Sequence, residues 1–178
     1  MGKRSKFFKI ILTFFTLSFT IWFGSEIVRT MLSYDLFVPG SEFVLKPNYS
    51  NEVRMYNVYS YATTSIYSSI SYIVAAISAI ILAINTRKEL KNRGWLFMSF
   101  LLFAITIPIK LYLIYLDTEL AYHIYHIGVT DFFAPIIQEN FVTRLADAKY
   151  TSISSVTMLI AITCILYAVW RPLDKTEN

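Results

Sequence analysis

Four long apolar runs separated by polar stretches dominate the chain, at residues 10–28, 58–84, 95–116 and 150–170. At about 1.5 Å per helical residue, each run reaches across the roughly 30 Å hydrocarbon core of a bilayer. Backbone in lipid must satisfy its own hydrogen bonds, so runs of this kind form helices. The expected fold is all-α, an integral membrane four-helix bundle in a single domain. Residues 29–57 and 117–149 read as long loops, and residues 85–94 as a short one. The first run is too long for the apolar core of a cleaved signal peptide and has Phe23 where a small residue is wanted, so it reads as a retained span.

Spacing within the runs predicts which faces pack. Ser71, Ala75, Ala79 and Ala83 repeat every four residues, and Ser154, Thr157, Ala161, Cys164 and Ala168 alternate steps of three and four. Small residues on one face let helices approach closely in lipid, so both sets are expected at helix–helix seams. The first half of the second run is also rich in hydroxyls, including Ser60, Ser65, Ser68 and Ser69, which is the expected lining if the helices form a solute path. In the second long loop, Phe133, Ile137, Phe141 and Leu145 make one apolar stripe, with Glu139, Arg144 and Asp147 off it. That pattern predicts an amphipathic helix on the outer membrane surface, with Pro135 tolerated in its first turn. Short apolar pieces around Phe37 and Phe43 are expected at the membrane surface too.

Composition agrees with this class. The 178 residues are 56% hydrophobic and 17% aromatic with only 5 Gly, too apolar for a soluble domain of this size. The net charge of +4 is unevenly spread. Ten Lys/Arg lie in residues 1–9, 85–94 and 171–178, against five in the two much longer loops. Positive charge marks the cytoplasmic side, so both termini and the basic patch Arg87, Lys88, Lys91 and Arg93 are expected in the cytoplasm. Trp95 and Trp170 then belong to the inner aromatic belt, and Tyr56, Tyr59, Tyr61, Tyr112 and Tyr115 to the outer one. No basic stripe interleaved with aromatics suggests nucleic-acid binding. Abundant Phe, Ile, Tyr, Ser and Lys beside scarce Gly is the output of AT-rich coding DNA, and points to an accessory bacterial gene.

The chemistry concentrates at residues 95–116, where Lys110 is the one charge and Pro108 lies two residues before it. A charged side chain in a span is a functional hypothesis by default. Lys110 sits in the outer third of its run, where its stem snorkels, and Glu26 near the outer end of the first run is the expected partner. Asp117 shares the face of Lys110 but lies too far along it for a direct pair. The alternative to a structural pair is a ligand or gating role for Lys110, Glu26 and the kink expected at Pro108. Glu119, His123 and His126 are weak candidates for a metal; no cofactor is expected. Both His residues lie outside the runs, Cys164 is the sole cysteine, and neither an HExxH, a G-x-S-x-G elbow nor a phosphate-binding glycine loop is present. The expected role is therefore non-enzymatic: a membrane anchor, sensor or scaffold in a multi-component system of the bacterial inner membrane, such as stress or antiviral defence. Its expected partners are lipids, further copies of the chain and a soluble cytoplasmic protein. The alternative is an oligomeric channel or transporter lined by the second span.

Overall fold

A computed structural model describes residues 6–172. Lys3, Arg4 and Lys175, counted above among the basic residues, lie outside the described residues. Among the described residues, four helices are long and apolar enough to cross a membrane. They are α1 (Lys6–Asp35), α2 (Asn51–Leu90), α3 (Gly94–Tyr122) and α6 (Ala148–Trp170). A π-helical turn, His123–Ile127, prolongs α3 and stops at Gly128, whose φ of 75° is a left-handed conformation that glycine adopts without strain. Between it and α6 lie α4 (Pro135–Ile137), a second π-helical turn (Gln138–Thr143) and α5 (Arg144–Ala146).

All four helices are longer than their apolar runs, α1 and α2 by the most. α1 continues seven residues past residue 28, to Asp35. Two hydroxyls bond back along it, Thr30 to the Glu26 carbonyl and Ser33 to the Arg29 carbonyl. Arg29 itself turns inward, so the polar residues here are part of the bundle and do not begin a loop. α2 is 40 residues long, about 60 Å at the helical rise, roughly twice the thickness of a bilayer core. Ser50 caps it by accepting from the Val53 amide.

Inward positions on α1 and α3 are separated by steps of three or four. On α3 they are Phe103, Thr106, Lys110, Leu113, Asp117 and Leu120. On α1 they are Ser18, Trp22, Glu26, Arg29 and Ser33. This is the seam of helices crossing at a shallow angle. α1 packs most extensively on α2, α2 on α3, and α3 on α6. Large apolar side chains such as Leu17, Ile70, Ile105 and Leu159 face outward, as lipid contact requires.

Two apolar cores form along these seams. One gathers Trp22, Tyr72, Ala75, Ala79, Phe103 and Ala161. In the other, Leu36, Val58, Leu120 and Ile124 pack with Phe132, Ile137 and Phe141. The small-residue faces are used in their central parts. Ala75, Ala79, Thr157 and Ala161 are buried, Ser71, Ala83, Ser154 and Cys164 are half-buried, and Ala168 is exposed. The expected face on α6 therefore does not extend to Ala168.

Residues 36–50 fold back on the helix ends. Phe37 and Leu45 form an antiparallel bridge, and the Val38 amide donates to the Val44 carbonyl. Phe37 is buried with Phe43 edge-on against it, so this pair packs on the bundle instead of lying free at a surface. The stripe in the second loop is redistributed as well. Ile137 and Phe141 are buried and Leu145 is half-buried, but Phe133 is exposed. Phe133 lies in the turn before α4, outside the helical segment that carries the other three.

Candidate functional site

Between the two apolar cores lies a layer of buried charge. Lys110 Nζ is 2.9 Å from Glu26 Oε2, the pair expected from sequence. Glu26 Oε1 accepts from Arg29 NH1 at 3.0 Å and from Ser68 Oγ at 2.6 Å. Arg29 NH2 donates to Asp117 Oδ1 at 2.8 Å and to the Tyr61 hydroxyl at 2.6 Å. Arg144 NH1 donates to the same Asp117 oxygen at 2.6 Å. The result is one continuous chain of ions, Lys110–Glu26–Arg29–Asp117–Arg144, which joins α1, α3 and α5, with Tyr61 and Ser68 holding it to α2.

Burial makes these contacts matter. Glu26, Arg29, Lys110 and Asp117 are each at most 7% exposed. An ion taken out of water costs several kcal/mol unless partners replace its hydration, and the shared carboxylates do so here. Aromatic faces add to this. Lys110 Nζ lies 5.4 Å from the Trp22 ring centre, and the Arg29 guanidinium 4.7 Å from that of Tyr61. Burial opposes the charge on Arg144, but Tyr61 and Asp117 outweigh it and raise its pKa above the ordinary arginine value.

The helical register explains why the layer assembles. Glu26 and Arg29 are three residues apart, and Lys110 and Asp117 seven apart, so each set occupies one face. Lys110 and Asp117 are too far apart for a direct pair, as expected; Arg29 and Glu26 from the facing helix fill the gap. Arg29 and Arg144 read as loop charges because they follow apolar runs or sit off a stripe. Tyr61 reads as a belt residue, yet it is buried and edge-on to Phe141 at 4.9 Å. The signal that finds Arg29 is the step of three from Glu26 continued past the end of the hydropathy plateau, and for Tyr61 it is a place on the inward stripe of α2 with Val58 and Ser65. Tyr56, Tyr112 and Tyr115, by contrast, are exposed. At the other end Trp170 is exposed too, while Trp95 is half-buried under the Arg171 guanidinium.

Other predicted site residues fall elsewhere. Pro108 lies on the exposed face of a continuous α3, away from the ion chain. Glu119, His123 and His126 do not converge on a metal: among the described residues no group of three His, Cys, Asp or Glu is placed to hold one. His123 Nδ1 instead contacts the Glu119 carbonyl, and His126 stacks on Tyr122. In the basic patch Arg87, Lys88 and Lys91 are exposed, and Arg93 pairs with Glu89 at 3.3 Å. Cys164 donates weakly to the Ser99 carbonyl, tying α6 to α3.

A partly open cavity of about 130 Å³ adjoins the ion chain. Glu26, Arg29, Lys110 and Arg144 line it on one side, and Thr151, Ser154 and Ser155 of α6 on the other. No known protein family matches the chain, and no curated protein or solved structure is similar to it.

Proposed function

We propose that this protein is a non-enzymatic multi-pass subunit of the bacterial inner membrane, acting as anchor, sensor or scaffold in a multi-component system, with stress or antiviral defence as its setting. Both termini and the 85–94 segment face the cytoplasm in this reading, following the excess of basic residues there. The observation that carries it is the shared Asp117 oxygen. It is bonded at once by Arg29 within the bundle and by Arg144 in the segment before α6. A displacement of that segment is therefore felt by α1 and α3 together, and α3 begins beside the basic patch. The exposed Arg87, Lys88 and Lys91 suit a soluble acidic partner or anionic lipid.

The test is affinity purification of the tagged full chain from its host in mild detergent, with the mass of the complex determined. A stoichiometric soluble protein, lost when Arg87, Lys88 and Lys91 are replaced by Glu, supports the reading. A homo-oligomer with no partner overturns it. A second reading, an oligomeric channel or transporter, is favoured by a groove of about 510 Å³ between α2 and α3 that contains Ser65, Ser69, Thr118 and Asp117. Ion flux in proteoliposomes that Ser69→Leu abolishes would establish that alternative.

A further inference from the structure

The ion chain is not charge-balanced. Arg29, Lys110 and Arg144 contribute three cations, and Glu26 and Asp117 two anions, which leaves one positive charge in a mostly buried layer. Arg29 is also under-used. Both of its terminal nitrogens are bonded, but its Nε–H is buried without a hydrogen-bond partner. A buried charge-bearing donor left unpaired is costly, and a native structure that retains one calls for an explanation. The cavity beside it supplies one. Its far wall is made of hydroxyls, Thr151, Ser154 and Ser155, with Thr30 and Ser33 on the α1 side. Among the described residues only α1 and α2, α2 and α3, and α3 and α6 pair extensively, and the cavity lies between residues of α1 and of α6.

We propose that this cavity binds a singly charged phosphate group, through Arg29, Lys110, Arg144 and the surrounding hydroxyls. One negative charge neutralises the layer. Guanidinium forks and hydroxyl donors are the groups that recognise phosphate oxygens. Size limits the ligand: about 130 Å³ is well below the roughly 300 Å³ at which pockets for drug-sized molecules begin, but suits one phosphate group. Two sources have this chemistry, free phosphate and the phosphodiester of a lipid entering between α1 and α6. The inference stands on the cavity and its charge, and is independent of whether a cytoplasmic partner exists.

The experiment uses the full chain in phosphate-free maltoside micelles. Its thermal midpoint is followed during titration with inorganic phosphate, with phosphatidylglycerol, and with diacylglycerol as the phosphate-free lipid. Saturation at a hundredfold excess over the dissociation constant is expected to raise the midpoint by about 5–10 °C. A rise with inorganic phosphate identifies a free ion, and a rise with phosphatidylglycerol alone identifies a headgroup; either supports the site. Ser154→Leu and Ser155→Leu fill the cavity from α6 without touching an ion pair, and either one, once folded, is expected to remove the rise. The proposal is overturned if neither phosphate source stabilises the wild type, if diacylglycerol does so equally, or if a folded cavity-filling variant responds like the wild type. The wild-type comparison alone decides should both variants fail to fold.

Discussion

Charge balance within the layer makes an unusual prediction: deleting its lysine costs less than deleting its glutamate. Glu26→Gln removes the carboxylate that accepts from Lys110, Arg29 and Ser68 at once. It raises the net charge of the layer from one to two positive and leaves Lys110 without its carboxylate partner. Breaking a buried pair in this way costs about 3–5 kcal/mol. Lys110→Met does the opposite. Glu26 keeps Arg29 at 3.0 Å and Ser68 at 2.6 Å, and the layer becomes neutral. The loss is then one charge-assisted hydrogen bond, about 1.5–3 kcal/mol, reduced because an ammonium no longer has to be desolvated. The methionine stem still packs on Trp22. At about 2–4 °C per kcal/mol for a chain of this size, the midpoint falls by about 6–20 °C for Glu26→Gln and by less than half of that for Lys110→Met. The assay is thermal unfolding of both variants and of the double variant in the same micelles. Glu26→Gln combined with Lys110→Met should recover part of the Glu26→Gln loss, because it restores the balance of the wild type. If Lys110→Met is as damaging as Glu26→Gln, or the double variant is worse than either, the charge-balance reasoning is wrong.

Other perturbations separate the parts of the structure. Arg144→Met removes the link from α5 to Asp117, which keeps Arg29; amide exchange over residues 138–146 should accelerate while helix content measured by circular dichroism is unchanged. Ala75→Leu overfills a site with no exposed surface and should cost about 1–3 kcal/mol, whereas Ala168→Leu on the exposed end of α6 should stay within about 0.5 kcal/mol, both read by thermal unfolding. The hydrogen bond to Asp35 raises the Lys46 pKa. Its stabilising contact is therefore complete below the ordinary lysine value of about 10.4 and is lost only as pH rises through the raised value. A carbon-13 titration of the labelled lysine should place its midpoint above that of free lysine, and Asp35→Asn should bring it back.

Hydropathy alone was enough to place four helices, because each apolar run is long and backbone in lipid has few alternatives. The Glu26–Lys110 pair was legible for a related reason: an ion within a span requires a partner, and few were on offer. Arg29, Asp117 and Arg144 were harder to see because hydropathy treats a charge at the end of a run as the start of water. Side-chain geometry does not. Arg29 follows Glu26 by three residues, and the inward step continues to Ser33, which makes α1 a helix to Asp35. Tyr61 shows the same limit from the other side. An aromatic near the end of a span reads as a belt residue, but its position on the inward stripe of α2, between Val58 and Ser65, puts its hydroxyl on Arg29. The π-helical turn at Gln138–Thr143 left no periodic trace, since Ile137, Phe141 and Leu145 keep their spacing of four across it. What decides whether a polar residue joins the site is its register on the helix seam, more than its distance from the apolar plateau. The same rule distinguishes Pro108 from Lys110, two residues apart on α3: one faces outward and the other anchors the ion chain.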